Sequence, residues 1–207
     1  MATGGGSKLL EAVVLAAGSG GRFGGGKLTH PWREGLLIDG ALAAAFAAPV
    51  RTVTVVSGAD PKVEAAARAF AERAGQPTRL RLVHCEGHAE GMGATLRAGV
   101  ASLPPDAAGV FVFLGDMPLI PPAILPELAA ALAAGAPAAA PRCDGQRGHP
   151  VLFSRELFPQ LAAARGDEGA RAVLRGLGPR LALVETGDAG VLFDVDQRDD
   201  LEGGIRP

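Results

Sequence analysis

Short apolar runs recur along the chain, and longer alanine-rich segments with a polar face separate them. The runs predict buried strands, because a strand covered on both faces is apolar throughout. They lie at 12–15, 52–56, 109–114, 137–141, 148–153, 181–184 and 191–193, and the alternating segment 79–83 predicts a further strand. The segments between them predict helices at 36–48, 61–74, about 95–102, 122–134, 155–164 and 168–175, with a short one around 199–201. Alternating strands and helices are typical of an α/β fold with a mainly parallel sheet.

The first predicted strand leads directly into a glycine-rich segment, 18–27. Seven of its ten residues are Gly or Ser, and Arg22 and Lys27 are its only charged residues. A loop of this kind leaves backbone amides free to approach a ligand, so the segment suggests a triphosphate-binding loop. The alternative is a flexible surface loop. The Gly-Lys-Ser/Thr ending of a P-loop is missing, and the glycine spacing differs from the dinucleotide-binding fingerprint.

Carboxylates follow two later strands at the same predicted edge of the sheet. Asp116 comes after 109–114, and Asp194 and Asp196 come after the last predicted strand. Mg²⁺ is commonly held by one or two carboxylates together with substrate phosphates, so these residues are candidate metal ligands. In an extended Asp-x-Asp the two side chains point to opposite faces, so one would face the metal and the other would cap the next helix. Alternatively, Asp116 belongs to a turn and the other two are both caps.

Two further turns are candidate walls of a binding site. Thr95 and the amides of 91–94 lie at a predicted helix N-terminus, which can hold the base or sugar of a nucleotide or can be an ordinary capped helix start. Arg147 and His149 lie in a polar loop that suggests the rim of a second-substrate site, or else a solvated loop. His30, His84 and His88 have no metal-ligand spacing and receive no role.

Composition excludes several classes of protein. A chain of 207 residues with 48% apolar residues is expected to form one domain with a large core. The net charge of −2 is spread along the chain, which argues against nucleic-acid and membrane-surface partners. Cys85 and Cys143 are too few for a disulfide framework or a zinc site and are interpreted as reduced thiols. With neither a signal peptide nor a membrane span, a cytoplasmic protein is expected, and residues 1–7 are expected to be disordered.

Six blocks together resemble the nucleotidyltransferases with a Rossmann-like fold, and among them the molybdenum-cofactor nucleotidyltransferase family. They occur in order as LAAG-x3-RFG-x2-KL at 15–28 followed by PW, GMGATLRAG at 91–99, GDMP at 115–118, GHPVLF at 148–153, GDEGAR at 166–171 and DVD-x3-DL at 194–201. The resemblance spans nearly the whole chain. It implies a single three-layer nucleotidyltransferase domain over residues 1–207.

The resemblance also implies an activity and a set of site residues. The reaction would be Mg²⁺-dependent transfer of a nucleoside monophosphate, CMP from CTP, to a phosphorylated acceptor such as molybdopterin, with release of pyrophosphate. Arg22, Lys27 and Asp116 would be catalytic, and Asp116, Asp194 and Asp196 would supply the metal ligands. The implied nucleotide-site residues are Leu15, Ala16, Ala17, Gly18, Gly24, Ser57, Gly91, Gly93, Thr95 and His149.

Ala17 stands where the guanylyl branch of this family usually has Gly, which indicates the cytidylyl branch. The 148–150 loop would face the acceptor, and a molybdoenzyme or its chaperone is the implied protein partner. The lysine that family members carry soon after Pro-Trp is missing here, where Arg33-Glu34-Gly35 follows Trp32. Two alternatives therefore remain: a sugar-phosphate or other metabolite nucleotidyltransferase, and a non-catalytic nucleotide-binding partner in a molybdoenzyme pathway.

Overall fold

The computed structural model describes residues 9–201, so the expected disorder of residues 1–7 lies outside the described part of the chain. Its strands are β1 (Leu10–Leu15), β2 (Pro31–Trp32), β3 (Gly35–Leu36), β4 (Val53–Ser57), β5 (Leu80–His84), β6 (Gly109–Leu114), β7 (Ala138–Cys143), β8 (Gln146–Arg147), β9 (Val151–Ser154) and β10 (Leu181–Glu185). The helices are α1 (Leu37–Ala47), α2 (Lys62–Arg73), α3 (Met92–Ala101), α4 (Ile124–Ala133), α5 (Phe158–Ala162) and α6 (Arg171–Leu177).

The main sheet has the order β10-β7-β9-β6-β1-β4-β5, and β8 pairs with β7. β1 lies near its centre, parallel to β4 and β6, and the pairs β4–β5 and β7–β10 are also parallel. β9 runs antiparallel between β6 and β7, while β2 and β3 form a separate antiparallel hairpin. The predicted α/β fold with a mainly parallel sheet is therefore confirmed.

Helices cover both faces of this sheet, which gives three layers. Alternate strand residues point to opposite faces. Val14 and Phe113 pack in one apolar cluster with α1, α2 and α4, whereas Val13 and Val112 pack in a second cluster with α3, α5 and α6. Because both faces are buried in the middle of the sheet, β1 and β6 are almost entirely apolar, and this is the pattern from which they were predicted. None of the helices in residues 9–201 is long and apolar enough to cross a membrane.

The predicted strand at 191–193 is wrong. The chain forms a short 3-10 helix at Ala189–Val191, in which the Asp188 carboxylate accepts a hydrogen bond from the Gly190 N–H at 2.8 Å. The Val191 carbonyl accepts from the backbone N–H of His149 at 2.9 Å. The apolar run is buried against other loops of the site rather than paired in the sheet, and periodicity does not distinguish these two kinds of burial.

Two predicted helices have different bounds in the structure. The segment predicted at 155–164 starts as a 3-10 turn at Arg155–Leu157, and only Phe158–Ala162 is α-helical. The helix predicted at 168–175 starts later, at Arg171, because a 3-10 turn and Gly169 in a left-handed conformation (φ 52°) precede it.

Candidate active site

A cleft of about 640 Å³ opens at the carboxyl ends of β1 and β6. This is the expected place for a ligand in a doubly wound α/β sheet, since the loops that leave these strand ends converge there. Ten of the residues predicted from the sequence line it: Leu15, Ala16, Ala17, Gly18, Arg22, Lys27, Gly91, Thr95, Asp116 and Asp196. The structure therefore brings together the glycine-rich loop, the start of α3 and both carboxylate segments.

The glycine-rich loop is folded and anchored rather than loosely exposed. It contains a 3-10 turn at Gly21–Phe23, and the N–H groups of Phe23 and Gly25 donate to the Gly20 carbonyl at 2.9 and 3.1 Å. Gly20 is left-handed (φ 61°), and a Cβ there would lie 2.9 Å from the Cβ of Lys27, so this position requires glycine. The Phe23 ring is buried with Leu37 and Val195. This anchoring favours a preformed binding loop.

Ion pairs connect the loop to the two carboxylate segments. The Lys27 ammonium lies 2.6 Å from Asp116 Oδ2 and donates to the Val195 carbonyl at 2.9 Å. Arg22 Nη1 lies 3.0 Å from Asp196 Oδ2. The Lys27 side chain is 13% exposed and the Arg22 side chain 79% exposed, so Lys27 is held firmly in the cleft whereas Arg22 reaches over its rim.

Asp194 and Asp196 line different cavities. Asp196 lines the large cleft, and Asp194 lines a smaller cavity beside it. Loss of hydration, followed by the negative charges of Asp116 and Asp196, raises the pKa of Asp194. The helix-capping role expected of Asp194 or Asp196 belongs instead to Asp200, whose carboxylate accepts from the N–H groups of Asp196 and Gln197 at 2.8 and 2.7 Å.

The carboxylates fit a divalent cation that is bound partly by the protein and partly by phosphates of the substrate. Within residues 9–201 no group of three or more His, Cys, Asp or Glu side chains is placed to hold a metal ion by itself. Asp116 and Asp194 are close enough for the charge of one to raise the pKa of the other, and such a pair suits Mg²⁺ or Mn²⁺ bound together with phosphates. A cation held by protein side chains alone does not fit this arrangement.

The smaller cavity, of about 280 Å³, shares Leu15, Met92 and Leu114 with the cleft. His149 lines this cavity and not the larger one, although the sequence placed it among the nucleotide-site residues. Burial, followed by the charge of Arg147, lowers the pKa of His149 to about 4, so the imidazole is neutral at pH 7. Its buried Nδ1 has no hydrogen-bond partner within residues 9–201. Arg147 and Arg171 give this cavity two cations.

Besides His149, three predicted nucleotide-site residues do not line the cleft. The Ser57 hydroxyl is buried and donates to Glu64 Oε1 at 2.7 Å. Gly24 ends the 3-10 turn of the glycine-rich loop, and Gly93 packs against the backbone of Arg165.

Both cysteines, Cys85 and Cys143, are free and buried.

Sequence reasoning missed several cleft residues, among them His88 and Asp167. His88 received no role because only metal-ligand spacing was considered, and lining a cleft requires no such spacing. Asp167 lies in the GDEGAR block that carried part of the resemblance, but the block was given no function. That block was the only signal in the sequence that pointed to Asp167.

Comparisons with known proteins identify the family of this chain. The family model "MobA-like NTP transferase domain" matches residues 12–184. The chain is 30% identical over 200 residues to purine catabolism protein PucB of Bacillus subtilis (strain 168), and 25% identical over 193 residues to molybdenum cofactor cytidylyltransferase of Escherichia coli (strain K12). Each match covers 92% of this chain and 93% of the relative.

Among solved structures, that of Rv0371c from Mycobacterium tuberculosis H37Rv is 27% identical and superposes with a TM-score of 0.77. The complex of Rv0371c with manganese is 26% identical and superposes with a TM-score of 0.72. Both comparisons cover 95% of this chain and 97% of the other.

Proposed function

Since this chain belongs to the MobA-like NTP transferase domain family and is a nucleotidyltransferase, we propose that it transfers CMP from CTP to a phosphorylated acceptor of the molybdopterin type, with Mg²⁺ and release of pyrophosphate. The observation that carries the proposal is the contact of 2.6 Å between Lys27 and Asp116. The Lys27 ammonium is suited to binding phosphates, and the Asp116 carboxylate is suited to binding a metal. These two groups come from distant parts of the chain and meet inside one cleft.

Different groups of the site have different roles in this reaction. The amides of 18–21, with Arg22 and Lys27, face the triphosphate and neutralise its charge. Asp116 and Asp194 would hold Mg²⁺, which when bound supplies further positive charge on the phosphates. An oxygen of the acceptor phosphate attacks the α-phosphorus, a new P–O bond forms, and the bond to the pyrophosphate oxygen breaks. Positioning and charge stabilisation are the contributions of the protein to such a step.

The smaller cavity suits the acceptor. Arg147 and Arg171 match an anionic group, and the shared wall at Leu15 and Leu114 brings that group next to the phosphate end of the cleft. The name of the E. coli relative, together with Ala17, supports CTP and a molybdenum-cofactor acceptor. A sugar phosphate carries the same kind of charge and is the second candidate acceptor.

Three further expectations belong to this proposal. Residues 1–207 form one domain, which is supported by a main sheet built from strands between Leu10 and Glu185. The protein works in the cytoplasm, where its two free thiols stay reduced. A molybdoenzyme or its chaperone receives the product. The retained Arg22, Lys27 and Asp116 support turnover over a non-catalytic binding role.

A thermal-shift panel tests the choice of nucleotide. CTP, GTP, ATP and UTP are each added with Mg²⁺, and Tm is measured. A ligand that binds only the folded state raises Tm, so CTP should give the largest increase. A larger increase with GTP would overturn the cytidylyl assignment.

The substitution Asp116→Asn tests turnover. We expect pyrophosphate release to fall by roughly 10²-fold or more, because a charge that positions the metal and the phosphates is lost. Glu127→Gln, an exposed change on α4, is the matched control and should keep full activity. Equal pyrophosphate release by wild type and Asp116→Asn across a panel of phosphorylated acceptors would contradict the catalytic assignment.

A further inference from the structure

The loop 164–169 lies directly on the first turn of α3. Arg97 Nη1 donates to the Ala164 carbonyl at 2.7 Å. A Cβ on Gly93 would lie 2.7 Å from the backbone of Arg165, and a Cβ on Gly91 would lie 2.9 Å from that of Gly166. The two glycines of the helix start therefore provide the space in which this loop packs against the helix, and Arg97 holds it there.

This packing places the Asp167 carboxylate over Gly91. A Cβ on Gly91 would lie 2.4 Å from Asp167 Oδ1, so glycine is required for the carboxylate to reach its position. Asp167 lines the large cleft together with Gly91, Met92 and Thr95. Its position is thus determined by packing of the loop backbone.

Asp167 differs from the other carboxylates of the cleft in having no partner. Asp116 is paired with Lys27, and Asp196 with Arg22. Asp167 makes neither a hydrogen bond nor an ion pair through its side chain with any residue between 9 and 201. An ionised carboxylate only accepts hydrogen bonds, so the exposed Asp167 side chain can accept them from donor groups of a ligand in the cleft.

The order of residues along the cleft indicates which part of a nucleotide supplies these donors. The glycine-rich loop with Lys27 forms the phosphate end. Ala17 and His88 meet beside Gly58, where a Cβ would lie 2.7 Å from the Cβ of each, and they line another part of the cleft that suits the base. A nucleotide placed in this way would have its ribose beside the other cleft residues Asp167, Met92 and Thr95. Its two neighbouring hydroxyls are donors, whereas phosphates would be repelled by the carboxylate.

We propose that Asp167 accepts hydrogen bonds from the ribose hydroxyls of the nucleotide and thereby selects ribonucleotides over 2′-deoxyribonucleotides. The inference rests on the proposed nucleotide site, but it depends neither on the identity of the base nor on that of the acceptor. Asp167 is a specificity residue in this assignment and takes no part in the transfer of the nucleotidyl group.

Calorimetric titrations with Mg²⁺ and CTP, 2′-dCTP, 3′-dCTP, UTP, GTP or 2′-dGTP test the assignment. Wild type should bind the ribonucleotide roughly tenfold to a hundredfold more tightly than its 2′-deoxy counterpart, as expected for hydrogen bonds to a charged group. Asp167→Ala should bring this ratio close to one. Asp167→Asn, which keeps the shape and one acceptor oxygen, should give an intermediate ratio. Glu127→Gln, which removes the same charge from an exposed residue that lines neither cavity, should keep the wild-type ratio.

The outcomes distinguish this inference from the proposed function. If wild type binds GTP more tightly than CTP, and Asp167→Ala no longer prefers GTP over 2′-dGTP, the CTP assignment fails and the role of Asp167 stands. If Asp167→Ala keeps the wild-type ratio, or changes the preference for CTP over UTP instead, Asp167 does not bind the ribose. If wild type binds none of these nucleotides, both the proposed function and this inference are overturned.

Discussion

Lys27 connects the proposed phosphate-binding loop to Asp116, the proposed metal ligand. Its ammonium lies 2.6 Å from Asp116 and also donates to the Val195 carbonyl. It therefore neutralises the carboxylate that a metal ion would otherwise neutralise. When phosphates enter the cleft, they attract the ammonium and leave the carboxylate free for a cation. Nucleotide and metal are thereby expected to favour the binding of each other.

Substituting Lys27→Met should change the affinities for the metal and for the nucleotide in opposite directions. We expect Mn²⁺ to bind the nucleotide-free protein roughly tenfold more tightly, because the competing cation is gone. We expect CTP to bind at least roughly tenfold more weakly, because a charge-assisted contact to phosphate is lost. Electron paramagnetic resonance of free Mn²⁺ and calorimetry measure the two affinities.

Arg22→Met is the comparison variant for Lys27→Met. The pair of Arg22 with Asp196 is largely exposed and contributes less, so both affinities should change less. A weaker affinity for Mn²⁺ in Lys27→Met would contradict the competition between Lys27 and the metal.

The catalytic candidates were predictable from the sequence, whereas some of their neighbours were not. Lys27 and Asp116 both follow buried parallel strands, and topology alone brings the ends of such strands together. Ser57 also ends a buried strand, but its hydroxyl turns to Glu64 in the next helix. Asp167 reaches the cleft through an irregular loop. Strand and helix periodicity contain no information about either of these two contacts.

At the scale of elements, α1 contacts the turn that presents Asp116. A Cβ on Gly40 would lie 2.2 Å from the Pro118 carbonyl oxygen, so the helix and the turn meet backbone to backbone. The position of Asp116, the proposed metal ligand, therefore depends on a helix that does not itself line the cleft.

Gly40→Ala and Gly176→Ala should change stability in opposite directions. Gly40→Ala forces α1 away from the turn and should destabilise the fold by about 1–3 kcal/mol. Gly176 lies in α6, and a Cβ there would meet no neighbouring side chain or loop within 4 Å, so alanine should stabilise by about 0.5–1 kcal/mol. Urea unfolding measures both effects. Equal stability of the two variants would contradict the close contact at Gly40.

Element type was predictable where burial on both faces produced a continuous apolar run, as in β1, β4 and β6. It was not predictable at 191–193, where the same kind of run is buried beneath loops. The direction of β9 was also beyond the sequence, because apolar content does not record whether a strand runs parallel or antiparallel to its neighbour.

At the scale of the whole molecule, the two ends of the sheet have different tasks. The carboxyl ends hold both cavities. At the opposite end of β1, Glu11 is fully buried and accepts from Arg51 Nε at 2.7 Å and from the Thr52 N–H at 3.2 Å. Arg51 also binds Asp106 through both terminal nitrogens, at 2.7 and 2.9 Å. This arrangement indicates that stability and ligand binding depend on separate ends of the same strand.

Arg51→Met should therefore weaken the fold and spare the cleft. It leaves the buried Glu11 carboxylate without its counter-charge, so Tm should fall by roughly 5–10 °C. Arg142→Met, which removes an exposed pair with Glu185, should lower Tm by no more than about 2 °C. The affinity for CTP should stay unchanged in both variants.

The pH dependence of Tm gives an independent check on the same arginine. The hydrogen bond from Arg51 lowers the pKa of Asp106 below its usual value. A carboxylate with a depressed pKa in the folded state stabilises the protein at neutral pH, and this contribution is lost as the pH falls through that pKa. The difference in Tm between wild type and Arg51→Met should therefore narrow on acidification. An equal fall in Tm in Arg51→Met and Arg142→Met would contradict the stabilising role of Arg51. A weaker affinity for CTP in Arg51→Met would show that the two ends of the sheet are not independent.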